Sequence, residues 1–198
     1  MSKEVIVYQA PSSSPTNSEA PKRAGRPVGA RDRLPRTKRV TADKLPAMQF
    51  TPRDMSILLA AYAYRTISST QLKQILAPDA ARTRLNQRLS LLFQHGYLLR
   101  IEQPQGLSEP RKPYVYVLDR KGAAVVAEHQ GVAPHDLEHW SPKDRHVKPL
   151  FLEHHLYIND VRIALLQSIA AHGFTLEAWH DERTLKRNHK DEVVGIRA

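Results

Sequence analysis

Between Thr51 and Leu118 the apolar residues keep helical spacing three times and then change to strand spacing twice, and this order limits the folds open to the chain. Thr51-Pro52-Arg53-Asp54 offers an N-cap, a proline in the first turn and an acid at the third position. Met55, Leu58, Leu59 and Tyr62 then form one helical stripe. Ser68-Ser69-Thr70-Gln71 is a capping box, and Leu72, Ile75 and Leu76 give the second helix a short buried face. Pro78 and Asp79 make the next turn. The third helix runs from about Ala80 to His95, with Gly96 as its stop. Two strands follow. Leu99 and Ile101 alternate with Arg100 and Glu102, and Tyr114 and Tyr116 alternate with Val115 and Val117. The Pro- and Gly-containing loop 103–113 between them ends in Arg111-Lys112. Asp119 caps a further short helix, Lys121 to Gln130, closed by Gly131. Three helices and a long-tipped hairpin in this order predict a winged helix-turn-helix over 47–131.

The third helix carries the chemistry. At roughly 100° per residue, Leu85, Leu89 and Leu92 fall on one side. Thr83, Asn86, Gln87, Ser90 and Gln94 fall on the other, and Arg82, Arg84 and Arg88 lie toward the borders. Asn and Gln can pair bidentately with adenine, Thr can touch a thymine methyl, and Arg can take guanine or phosphate. The expected DNA-binding set on this helix is therefore Arg82, Thr83, Arg84, Asn86, Gln87 and Arg88. The first turns should enter the major groove, which favours Arg82, Thr83, Asn86 and Gln87 for base edges and places Gln94 too far along. Arg111 and Lys112 in the wing are expected on a flanking phosphate or in the minor groove. The same polar face would also suit a winged helix that binds protein.

Charge favours DNA. Thirty Lys+Arg against twenty Asp+Glu leave +10 over 198 residues, which calls for an anionic partner. Much of it lies in residues 1–46, expected to be a disordered arm because so few apolar residues are present to offset ordering. From Pro21 to Lys44, nine Lys/Arg face Asp32 and Asp43. Within it, 22–31 resembles an AT-hook, a Gly-Arg-Pro core in basic flanks. Arg23, Gly25, Arg26, Pro27 and Arg31 are its expected minor-groove contacts, although Ala24 stands where that motif has an arginine.

Other chemistry is poorly supported. The chain has no cysteine, which excludes disulfides and Cys-ligated zinc and suits a reducing cytoplasm. No apolar run approaches about 18 residues, so no membrane span is expected. Residues 132–148 read as a polar linker, and 149–198 as a partial α/β domain. A long helix from Leu150 to His172 carries apolar residues on several faces, Phe174 to Trp179 alternates like a strand, and Val193-Val194 would begin another. Glu153, His154, His155 and Asp160, with His180, Asp181 and Glu182, could suggest a metal site. His154 and His155 are adjacent on a helix and point apart, so no metal or other cofactor is expected. No Ser-His-Asp set, phosphate loop or cysteine nucleophile is visible, and the chain is expected not to be an enzyme. The fold class read from the sequence is mainly α with a small β part, a winged helix-turn-helix behind a disordered basic arm and ahead of an incomplete α/β segment.

Several segments together resemble the replication-relaxation family of plasmid and mobile-element proteins. They are Thr51-Pro52-Arg53-Asp54, Thr70-Gln71-Leu72, Arg88-Leu89 with Leu92, Gly96-Tyr97-Leu98, and Val115-Tyr116-Val117-Leu118 followed by Gly122. More specific is the run His155-Leu156-Tyr157-Ile158-Asn159-Asp160-Val161-Arg162, with Trp179 and Glu182 beyond it. The resemblance implies binding to double-stranded DNA in replication or relaxation, with a replication initiator or relaxase as a partner. Family members continue into a strand with a Pro-Asp pair, absent after Val193-Val194-Gly195-Ile196, so the chain is expected to stop inside its second domain. The alternatives are a transcriptional regulator of the same fold and, in another class, a nuclease or relaxase-accessory domain that uses Glu182.

Overall fold

In the computed structural model, residues 34–76, 82–106, 108–180, 182, 185 and 186 are described. Helix α1 (Pro52–Tyr64) leads through strand β1 (Thr66–Ser68) to α2 (Ser69–Leu76) and α3 (Arg82–Gln94). Strands β2 (Leu98–Ile101) and β3 (Val115–Leu118) flank the wing. Helices α4 (Arg120–Gln130) and α5 (Pro149–Ala171) follow. The sheet order is β1-β3-β2, antiparallel throughout, with Ile67 opposite Tyr116 and Leu98 opposite Leu118. This is the winged helix-turn-helix layout expected from the sequence. Strand β1 is an addition to it, because three residues buried on both faces give no alternation to read.

The caps form as their sequences require. Ser68 N–H donates to Gln71 Oε1 (3.0 Å) and Gln71 N–H to Ser68 Oγ (3.1 Å), a complete capping box at the start of α2. Asp119 Oδ1 accepts from the first N–H of α4, and Gly131 ends that helix at φ 68°. Gly122 has a different reason to be glycine. A Cβ there would sit 2.2 Å from the Tyr97 carbonyl oxygen, so only glycine lets α4 approach this closely.

Ile57, Leu58, Leu72, Leu85, Leu89, Leu92, Leu98, Leu118 and Val126 form the core, each fully or almost fully buried. On α1 the buried set is Ile57, Leu58, Ala60, Ala61 and Tyr62, while Met55 and Leu59 are half-exposed. The buried face is rotated from the expected stripe because α1 is packed by α2, α4 and the sheet rather than from one side.

Both edges of the sheet are blunted by side chains from outside the hairpin, which removes sites for unwanted strand pairing. At β1, Asn159 Nδ2 donates to the Thr66 carbonyl, and also to that of Tyr64 at the end of α1. At β2, Arg39 Nη2 donates to the Leu98 carbonyl (3.0 Å). The two donors belong to segments assigned to other parts of the chain by sequence. The expected arm, 1–46, is corrected from Leu34 onward. Residues 34–46 form a strap with a 3-10 turn, Ala42–Lys44, fixed by hydrogen bonds to α3 and β2. The expected linker is also packed. It holds two 3-10 turns, buries Leu137, and sends Trp140 Nε1–H to the Leu118 carbonyl (3.0 Å).

Described residues 34–163 make one compact unit, and those from Ala164 belong to a second. The boundary therefore falls within α5, between Ile163 and Ala164, and not at its start at 149 as expected. The first part of α5 stays with the winged unit through buried Leu152, Asn159 and Ile163, with Phe151, Tyr157 and Val161 exposed on its other side. In the second unit, Phe174 to Trp179 is irregular, not the expected strand. The described residues from Ala164 onward contain no strand that could take its backbone hydrogen bonds. Val193-Val194 lies outside the described residues.

Candidate nucleic-acid interface

Helix α3 is held by its apolar side. Leu85, Leu89 and Leu92 are at most 1% exposed, and this leaves Thr83, Arg84, Asn86 and Gln87 exposed on the first two turns. Among the described residues none of these four is held by a hydrogen bond or ion pair. Their donors and acceptors face water. Arg82 opens the helix, with its side chain outside the described residues.

Arg88 has a different place from the one expected for it. Its guanidinium lies against the carboxylate of Asp54 in α1, Nε on one oxygen and Nη2 on the other, and Nη2 also donates to the Gln49 carbonyl. Asp54 is fully buried and also accepts from Thr51 N–H and Oγ1, both at 2.7 Å. Burial pushes the Asp54 carboxyl up. The hydrogen bonds from Arg88 and Thr51, with the Arg88 charge, outweigh it and hold the group below the usual carboxylate value. The pair keeps the Arg88 guanidinium protonated. Arg88 therefore anchors α3 to α1 and sets the angle at which Thr83, Asn86 and Gln87 are presented. The signal was its border position on the helical wheel, a place from which a long side chain can turn inward.

Gln94, on the same polar face, is also turned to the protein. It is 4% exposed. Its Nε2 donates to the carbonyls of Pro35 (3.0 Å) and Lys38 (3.1 Å), and its Oε1 accepts from Val40 N–H (2.8 Å). The strap thus covers the last turn of α3 and leaves the first two open. Arg39 completes the attachment by donating to Phe93 O at the helix end and to Asp119 Oδ2 at the start of α4. Nothing in the sequence marks Arg39 out from the cations around it.

In the wing, the two expected DNA-binding cations are matched with acids. Arg111 Nη2 donates to the Tyr114 hydroxyl (2.9 Å) and lies 3.4 Å from Glu102. Lys112 Nζ lies 3.4 Å from Glu153 of α5 and 3.8 Å from Glu109. Arg111 and the acids are about half exposed, so water and salt weaken these pairs and a phosphate could replace them. Arg100 is packed between the rings of Phe93 and Tyr114, 4.7 and 5.0 Å from their centroids, and serves the base of the wing. The arm residues Arg23, Gly25, Arg26, Pro27 and Arg31 lie outside the described residues.

The run His155–Arg162 is explained by docking. Asn159 donates to the carbonyls of Thr66 in β1 and Tyr64 in α1, Asp160 Oδ1 accepts from Gln71 Nε2 (2.7 Å), and Arg162 Nη1 donates to Ala63 O (2.9 Å) while covering the Tyr64 ring. These side chains fasten α5 to α1, β1 and α2. Among the described residues no three His, Asp or Glu side chains stand together as a metal site, and no helix is long and apolar enough to cross a membrane.

No curated protein matches the chain. Among solved structures, a mutant of MarR from E. coli in complex with operator DNA is similar at 19% identity, over 64% of this chain and 76% of that one, with a TM-score of 0.35. The family model described as replication-relaxation matches residues 58–194, from within α1 through the docking motif of α5 and beyond, and the chain belongs to the replication-relaxation family.

Proposed function

We propose that the protein is a double-stranded DNA-binding factor that acts in the cytoplasm in plasmid or mobile-element replication or DNA relaxation. Helix α3 enters the major groove by its first two turns, with Thr83, Asn86 and Gln87 toward base edges and Arg82 and Arg84 toward guanine or phosphate. The wing cations Arg111 and Lys112 take flanking phosphates, and the arm cations Arg23, Arg26 and Arg31 add charge along the duplex. The observation that carries this reading is the open set Thr83, Asn86 and Gln87 on a helix otherwise anchored by Leu85, Leu89 and the Arg88–Asp54 pair. Three polar side chains without partners among the described residues, beside an excess of ten positive charges, suit a polyanion with readable edges. Family membership supports the replication or relaxation role, with an initiator or relaxase as the protein partner.

The action is stoichiometric binding rather than catalysis. Selection from a random duplex pool supplies a preferred site. Asn86→Ala with Gln87→Ala is then expected to weaken that site by tenfold or more, since a good bidentate pair contributes about 1–3 kcal/mol of discrimination, and to leave non-specific binding nearly unchanged. Equal losses on both duplexes would remove base reading by α3. Nicking of supercoiled plasmid in Mg²⁺ that vanishes in Glu182→Ala would replace this reading by the enzymatic one.

A further inference from the structure

On α5, Glu153, Leu156, Tyr157 and Asp160 stand at i, i+3, i+4 and i+7, along one side of the helix. An acid closes each end of this run, and two side chains with apolar bodies lie between. The run is the floor of a cleft of about 310 Å³ in the winged unit, walled by α2 and by the base of the wing. Gln71 Nε2 holds the floor to α2 by donating to the Leu156 carbonyl (2.8 Å) and to Asp160 Oδ1 (2.7 Å). Gln103 Nε2 fixes the wing wall by donating to the Pro113 carbonyl (2.7 Å). Among the described lining residues Lys112 is the cation, 3.4 Å from Glu153. Glu109, outside the lining, offers it a second carboxylate at 3.8 Å. Asp160 Oδ2 meets no donor among the described residues. The two acids therefore outnumber the cation at this cleft, in a chain that carries +10 as a whole.

We propose that this cleft binds a short aliphatic diamine, and that the bound diamine releases Lys112 from Glu153 to DNA. The release rests on the reading of Lys112 as a phosphate contact, whereas the binding does not. One ammonium takes Glu153 and the other takes Asp160 Oδ2, while the methylene chain lies over Leu156 and the exposed Tyr157 ring. The lengths agree. From Glu153 to Asp160 the helix rises about 10.5 Å. Cadaverine places its nitrogens about 7 Å apart when extended, and a charge-assisted hydrogen bond adds about 2.8 Å at each end. A monoamine or an inorganic cation meets one acid and leaves the other unpaired. The volume is close to the lower end of ligand pockets, about 300 Å³, as suits a ligand this small. Lys112 keeps Glu109 beside it when Glu153 is taken, and a phosphate can replace that half-exposed partner. The coupling is reciprocal, so DNA that draws Lys112 away tightens the diamine by the same factor.

Titration calorimetry of the full-length protein without DNA, at constant ionic strength, tests the site. Cadaverine is expected to saturate one site with a Kd of about 1 mM, and pentylamine to bind about fivefold more weakly, the size of one exposed ion pair. Glu153→Gln and Asp160→Asn should each cost about fivefold as well. Asp160→Asn keeps an acceptor for Gln71, and Glu153 is half exposed, so neither change disturbs the docking of α5. Glu128→Gln, at an exposed acid of α4, should leave the Kd unchanged. Absence of saturation, pentylamine binding as tight as cadaverine, or an equal loss in Glu128→Gln would overturn the proposal. The release is read with a non-specific duplex. Diamines also bind DNA, so the readout is the difference between the parent protein and Lys112→Gln. Cadaverine should favour DNA binding a few-fold more in the parent than in Lys112→Gln, and an equal response in both would overturn the release. The underlying reading fails separately: if Lys112→Gln leaves the salt slope of DNA binding unchanged, Lys112 is no phosphate contact, and the calorimetry alone decides the cleft.

Discussion

Thr83, Asn86, Gln87 and Gln94 share the polar face of α3, yet the first three are exposed and Gln94 is 4% exposed beneath the strap. Two of the arginines on the helix divide in a similar way. Arg84 is exposed, whereas Arg88 turns inward to buried Asp54. Residue type and helical angle are nearly the same within each pair. What separates them is a partner 34 residues away for Arg88 and 54 for Gln94. A polar face on a helix is thus a supply of hydrogen-bonding groups, and tertiary contacts decide which are satisfied inside the protein and which are left for a ligand.

The strongest way to break the comparison is at the arginines. Arg88→Ala leaves a buried carboxylate with Thr51 as its remaining described partner. Removal of one member of a buried pair costs on the order of 3–5 kcal/mol, so a large fall in the urea midpoint is expected, with DNA binding lost alongside the fold. Arg84→Ala should leave the midpoint where it is and weaken binding only. Similar midpoints for the two variants would erase the distinction between them. The same pair sets an acid limb. The Asp54 pKa is depressed in the folded state, so its contribution is fully present above the unfolded value, near 3.8, and is lost as pH falls through the lower folded value. Asp54→Asn should lower stability at neutral pH and remove that part of the acid dependence. A variant whose stability still falls as steeply below pH 4 would place the acid-labile group elsewhere.

Gln94 and Gln87 make a smaller and cleaner contrast. Gln94→Ala leaves Val40 N–H without its acceptor and frees the Pro35 and Lys38 carbonyls, at a cost of about 1–3 kcal/mol. It should also raise protease sensitivity within 34–46. Gln87→Ala removes a side chain with no partner among the described residues and should leave thermal unfolding unchanged. A stability loss in Gln87→Ala equal to that of Gln94→Ala would mean that α3 is buried along its whole polar face, which would leave no surface for a groove.

How far these features could be read from sequence follows the range of the interactions. Capping boxes, the apolar stripe of α3 and the stops at Gly96 and Gly131 are settled by residues a few positions apart, and they were legible. So was the open half of the polar face, because apolar Leu85 and Leu89 fix its opposite side. Strand β1 was not legible, since three residues carry no period and their burial depends on β3 and α5. Nor was Arg39, one cation among nine in composition, although it joins the ends of α3, β2 and α4. The docking run of α5 was visible as a pattern whose purpose was hidden, because Asn159 and Arg162 act on carbonyls more than 90 residues earlier.

The smallest expected effect lies in the wing, where the comparison is between cations held by acids and polar groups held by nothing among the described residues. Lys112 is shared between Glu109 and Glu153, so a phosphate must compete for it. Glu153→Gln removes one competitor from α5 and leaves the wing fold untouched. Exposed pairs of this kind contribute about 0–1 kcal/mol, so the gain in non-specific DNA affinity should be a few-fold at low salt. It should shrink as salt rises, since screening weakens the Lys112–Glu153 pair in the parent protein as well. Lys112→Gln should reverse the effect, reducing the salt slope by about 0.9, and in that background Glu153→Gln should lose most of its benefit. If Glu153→Gln strengthens binding equally with and without Lys112, the carboxylate repels the duplex directly, and the wing cation holds the wing to α5 rather than binding DNA.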